Sequence, residues 1–175
     1  MDIEIKNTLQ RFLNLCDDMN ERIFADGNGS LKNEVKDDLL YFLLYLSYSD
    51  KNVSDKEIEC INYYFDEEYK ESDQLFSAES KDRELSVPVS LTYFIKIDND
   101  NYTEQEMVST LTAEMIGLYK KLGMEIICSD RALVMTEFKD YEDYISMMET
   151  YASAYLKSGY EKDVYEERSV FSHDL

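Results

Sequence analysis

Apolar residues recur three and four positions apart through most of the chain, the periodicity of helices with one buried face. In residues 2–24, Ile5, Leu9, Phe12, Leu13, Cys16, Met19 and Ile23 share such a face. Ala25-Asp26-Gly27-Asn28-Gly29 breaks the pattern, and Ser30 is placed to cap a second helix running to about Tyr48. Val35, Leu39, Phe42, Leu43 and Leu46 line one side of it, and Leu40, Leu44 and Tyr45 add apolar surface elsewhere. A helix apolar over most of its circumference belongs inside a protein. A short turn headed by Asp50 follows. Ser54-Asp55-Lys56-Glu57 then reads as a capping box, opening a third helix from Asp55 to about Tyr69 with Ile58, Ile61 and Phe65 as its stripe.

Residues 66–86 change character: acids outnumber bases and large apolar residues are few. The pattern predicts a solvated acidic connection. Val87, Leu91, Phe94 and Ile95 space helically after the chain's single proline, Pro88, which stands where a helix can begin. A strand here would have nothing to pair with. Asp98-Asn99-Asp100-Asn101 is expected to end this helix, and Thr103 with Glu106 to cap the next. That one runs to about Ile127, with Met107, Leu111, Met115, Leu118, Leu122 and Ile126 inward. Gly117 and Gly123 fall inside it, where each is expected to permit close packing. A last helix over about 134–157 buries Phe138, Tyr141, Ile145, Met148, Ala152 and Tyr155. The pattern fades after Gly159.

The chain contains an echo of itself. Shifted by 80 residues, Asp50 falls on Asp130 and Glu57 on Glu137. Val35, Leu39, Phe42 and Leu46 fall on Met115, Tyr119, Leu122 and Ile126. Ile58, Ile61, Tyr64 and Phe65 fall on Phe138, Tyr141, Tyr144 and Ile145. Ser54 falls on Val134, so the second capping box is lost. The expected fold is an all-α, single-domain bundle of about six to eight helices, built from two helical hairpins related by a pseudo-twofold axis. In this reading residues 1–175 form one domain. The first hairpin spans about 30–69, the acidic linker 66–86, the second half about 87–157 and the tail 158–175.

Composition narrows the function. Eighteen lysines and arginines face 38 aspartates and glutamates, a net charge of −20 spread along the chain. This disfavours nucleic acid and anionic membranes as direct partners and fits basic-surfaced protein partners or cations. The apolar run from Leu39 to Leu46 is far shorter than the roughly 20 residues a membrane span needs, and the charged start carries no secretory pattern. Cys16, Cys60 and Cys128 are expected as reduced thiols, buried or half-buried, in a cytoplasmic protein. The only histidine, His173, leaves no partner for a histidine-based dyad, and there is no glycine-rich phosphate loop. No catalytic residue is assigned and no cofactor is required. Residues 26–31 resemble part of an EF-hand loop, but Phe24 and Val35 stand where its first and last acidic ligands belong. That stretch reads as a turn with a helix cap.

The order of apolar helix, D-x-x-[VI]-S-x-x-E and amphipathic helix, at Asp50 to Glu57, resembles the TerB-like (tellurite-resistance TerB) fold family. The stretches VPVSLTYFIKIDND and LTAEMIGLYKKLGMEIICSD are similar to TerB-like domains found beside or fused to AAA+ ATPases. The likeness covers about residues 30–157. Lys51 and Arg131 replace the glycine usual at the turns. The resemblance implies a helical domain in a bacterial stress- or secretion-associated complex, with an AAA+ ATPase or other basic-surfaced protein as partner. It also implies a divalent cation such as calcium or magnesium at the turn acids: Asp50, Glu57, Asp130 and Glu137. The residues themselves admit another reading, in which Asp50 shapes the turn and Glu57 completes the capping box. Four readings follow: a non-enzymatic interaction or adaptor domain; a cation-binding stress-response protein; an acidic DNA-mimic inhibitor from a mobile element; and, last, an enzyme using carboxylates that no motif marks, with a homo-oligomer open to any of them.

Overall fold

The computed structural model describes residues 1–50, 53–70, 85–103, 110–129 and 135–160. Among them are six helices and no strand: α1 (Ile3–Ile23), α2 (Leu31–Ser47), α3 (Asp55–Phe65), α4 (Val89–Asn101), α5 (Leu111–Ile127) and α6 (Met135–Tyr155). The all-α bundle expected from the periodicity is the observed architecture. None of these helices is long and apolar enough to cross a membrane. Asp130, Glu106, most of the acidic connection and the tail beyond Tyr160 lie outside the described residues.

Helix boundaries follow local chemistry. Asp2 accepts the Glu4 amide at the start of α1. Ser30 accepts the Asn33 amide at 3.2 Å, and Thr110 the Ala113 amide at 3.1 Å. The capping box of α3 is present in both directions: the Glu57 amide donates to Ser54 Oγ at 3.2 Å and the Ser54 amide to Glu57 Oε2 at 2.7 Å. Several expectations need correction. α3 stops at Phe65, short of Tyr69, because Asp66 takes a left-handed conformation (φ 55°) that ends the helix. α4 takes in Asp98 to Asn101 before it ends. α5 begins at Leu111 under a Thr110 cap. Cys16 and Cys60 are buried, but Cys128 is exposed, since it lies just past the end of α5. Tyr155 is exposed, and Tyr144 takes the buried place on α6.

The core centres on α2 and α5. Leu39, Phe42, Leu43 and Leu46 from one helix, and Met115, Tyr119, Leu122 and Ile126 from the other, are almost or wholly excluded from solvent. Phe42 lies 4.9 Å from Tyr119 and 4.6 Å from Tyr144, centroid to centroid. Gly123 lets these helices approach: a Cβ there would stand 2.7 Å from Tyr141 and 2.9 Å from Phe42. Gly117 has no such neighbour, so close packing does not explain it.

The repeat is larger than the two hairpins. α2 and α5 coincide end to end at an offset of 80. α1 packs on α2 as α4 packs on α5, and α3 on α2 as α6 on α5. α4 reaches α2 as α1 reaches α5, and α6 reaches α2 as α3 reaches α5. Exchanging the halves maps each of these contacts onto another, as a twofold relation requires, although α4 packs on α6 more extensively than α1 packs on α3. The entry to each central helix is also held alike: Asn20 Oδ1 accepts the Leu31 amide at 2.8 Å, and Asp98 Oδ1 the Leu111 amide at 3.1 Å. Leu9, Phe12 and Leu13 of α1 are answered by the equally buried Leu91, Phe94 and Ile95 of α4, and Phe12 meets Phe94 at 5.1 Å. Each half is therefore a three-helix unit.

Candidate functional site

The turn acids divide into surface and interior. Asp50 is exposed, whereas Glu57 and its counterpart Glu137 are each only 4 % exposed. The apolar helix α2 carries Glu57's surroundings inward, and the capping box fixes its carboxylate. Burial pushes the Glu57 carboxyl above its ordinary value, while the Ser54 amide and hydroxyl pull it down; Asp50 adds a small push upward. Ser47 Oγ, fully buried and without a hydrogen-bond partner among the described residues, is near enough to help hold that carboxylate's charge. Asp50 and Glu57 thus feel each other across the turn. Asp130 lies outside the described residues, so its approach to Glu137 has no description here. Among the described residues no three histidines, cysteines, aspartates or glutamates are grouped to hold a metal.

A half-buried carboxylate escapes a reading by motif. Asp38 Oδ2, on α2, accepts both the Ser90 amide at 2.8 Å and the Ser90 hydroxyl at 2.5 Å. Pro88 occupies the N-cap of α4 and supplies no side-chain bond, so the cap comes from another helix. Burial raises the Asp38 carboxyl, opposed by the Ser90 bonds. Tyr119 lies nearby, fully buried, its hydroxyl without a hydrogen-bond partner among the described residues. The sequence signal was a lone acid beside the apolar face of α2, together with a proline-headed helix lacking a cap of its own.

The third feature is a groove of about 680 Å³ between α1, α5 and α6. Ile5, Met124, Phe138, Tyr141 and Ile145 give it an apolar lining. Lys120 and Glu149 form an ion pair at 2.8 Å along it, with side chains 15 % and 11 % exposed. Lys121 and Glu142 also line it. The first half is closed at the equivalent positions. Leu44, Ile58 and Ile61, which correspond to Met124, Phe138 and Tyr141, are buried, whereas the latter three are half-exposed. Neither buried cysteine is primed as a nucleophile: burial pushes the Cys16 and Cys60 thiols up to about 12. Comparison with known protein families, with curated proteins and with solved structures finds no match.

Proposed function

We propose that the chain is a non-enzymatic interaction domain, cytoplasmic and TerB-like in build, that meets a basic-surfaced protein within a stress- or secretion-associated complex. The observation that carries this reading is the division of labour among the carboxylates. Asp38 and Glu57 serve helix N-termini and Glu149 pairs with Lys120, so these three inward-lying acids have structural work. What remains is an acidic exterior on a chain of net charge −20, which favours encounter with positive surfaces. The TerB-like motifs at Asp50 to Glu57 make an AAA+ ATPase the first partner class to try. The test is capture from source-cell extract, followed by titration of the purified partner at about 50 and 200 mM salt. A basic protein whose affinity falls at least tenfold between the two is expected. Absence of a specific partner, or binding indifferent to salt, overturns the reading. Displacement of the partner by duplex DNA would move it to the DNA-mimic class.

A second reading takes Asp50 and Glu57, with Asp130 and Glu137, as ligands of calcium or magnesium. Its support is the Glu57 carboxylate, buried beside the Ser47 hydroxyl and within electrostatic reach of Asp50 across the turn. A ligand held only by the folded chain must raise its stability. Calorimetric titration with calcium, magnesium and zinc, repeated on Glu57→Gln, tests it. No heat and no thermal shift at millimolar metal removes this reading.

A further inference from the structure

The groove between α1, α5 and α6 carries nearly balanced charge on a chain whose net charge is −20. Five charged side chains lie along it. Lys120 and Glu149 cancel one another in their ion pair at 2.8 Å. Glu125 accepts the Tyr64 hydroxyl at 2.6 Å. That leaves Lys121 on α5 and Glu142 on α6, both exposed, and neither in an ion pair among the described residues. The groove thus shows one uncommitted positive charge and one uncommitted negative charge on different walls. Half-exposed Met124, Phe138 and Tyr141 lie beside them.

The same face supplies something to fill the hollow. Met135, 76 % exposed, opens α6 and shares a side of it with Phe138, Glu142 and Ile145 by helical spacing. A methionine adapts its shape to the pocket it enters. The face therefore has a hollow, a projecting apolar end and a charge of each sign. A surface that holds both members of an ion pair is complementary to itself when turned about a twofold axis. A foreign basic surface gains little here, because the acids that would draw it are offset. Repulsion between two acidic chains is weakest where they meet on balanced charge. The other flank of the bundle is shut, with Leu44, Ile58 and Ile61 buried at the equivalent positions. Association through a single open flank stops at two copies, whereas two open flanks would propagate a filament.

We propose that the α1/α5/α6 groove is the interface of a homodimer, in which Lys121 of each copy meets Glu142 of the other and Met135 with Phe138 of each enters the other's apolar lining. Each contact is made twice, once in each direction across the axis. Burial of the apolar lining drives the association, and the reciprocal charges fix its register. This interface goes beyond the partner binding proposed above, because a basic partner is drawn to the acidic exterior outside the groove.

Sedimentation equilibrium tests it on the full chain, from about 1 to 200 µM protein and at about 200 mM salt to screen the repulsion between two acidic chains. A monomer–dimer equilibrium with no larger species is expected. Lys121→Glu and Glu142→Lys should each weaken self-association at least about tenfold, because each sets two like-charged contacts across the axis. Glu142→Lys also makes the chain less acidic, so general repulsion alone predicts the opposite change. Mixed in equal amounts, the two variants restore both contacts, and the mixed dimer should match the parent affinity within about threefold. Phe138→Asp, at a half-exposed site, should leave the chain monomeric with helix content unchanged; the two exposed charge variants serve if it misfolds. A parent chain that stays monomeric throughout overturns the proposal. So does a dimer indifferent to these substitutions, a mixture that associates no better than either variant, or a mass that rises past two copies. A monomeric chain whose Phe138→Asp variant loses the captured basic protein overturns it as well, and gives the groove to that partner.

Discussion

Asp38 and Glu57 bind protons more tightly in the folded chain than their ordinary values of 3.8 and 4.5, because burial disfavours their charge. Folding then favours the protonated forms. Their contribution to stability is complete below those ordinary values and is lost as pH rises through the raised folded values. Thermal stability is expected to fall from about pH 4 toward neutrality, and Asp38→Asn with Glu57→Gln should flatten the slope between about pH 4 and 8. Calorimetry across that range checks it; an unchanged slope in the double variant would refute the assignment. Repulsion among the many surface acids has the same sign and sets the slope that remains. Tyr119 makes a second case. Its buried hydroxyl has no hydrogen-bond partner among the described residues, and an unsatisfied buried group costs about 1–3 kcal/mol. Tyr119→Phe is expected to leave stability unchanged or raise it by about 1 kcal/mol in denaturant unfolding. A clear loss would show that the hydroxyl is held after all, by the neighbouring Ser90 hydroxyl or by a buried water.

The elements separate two glycines that look alike in sequence. Gly117 has nothing within 4 Å of an added Cβ, so Gly117→Ala should stabilise α5 by about 1 kcal/mol. Gly123→Ala would press on Tyr141 and Phe42 and should destabilise by about 1–3 kcal/mol. Thermal or urea unfolding of the two variants gives the comparison; equal effects would refute the close approach. Helix existence was legible because period and caps agree: Ser30, Ser54 and the stripe of α2 point to one answer. Ends were less legible where they depend on tertiary context. Nothing local marks Asp66 as a left-handed stop, since aspartate there is held by Lys6 across the bundle. Asp38 capping α4 joins residues 52 apart, a distance at which no spacing rule operates. Of the turn acids, the capping role of Glu57 was readable from Ser54-x-x-Glu57. The depth at which it sits came only from the way α2 packs.

At the scale of the molecule, the groove could not be read from the sequence, because it arises from an inequality between halves whose patterns match. Half-exposed Met124, Phe138 and Tyr141 occupy the register of buried Leu44, Ile58 and Ile61; periodicity marks both sets as inward-facing. The exchange of halves has a further meaning. α2 and α5 meet across the axis, so each three-helix unit presents to its mate the same kind of surface that it receives. The two units therefore stand to one another as the subunits of a twofold dimer would. Separately produced fragments 1–70 and 85–175 are therefore expected to remain poorly structured alone and to regain helical signal when mixed in equal amounts, with a one-to-one mass by light scattering. Failure to associate would mean that the join has become indispensable. Success would describe a duplicated ancestor: one short gene, a homodimer, and a later fusion that freed the two copies to diverge, one closing its flank and the other leaving it open.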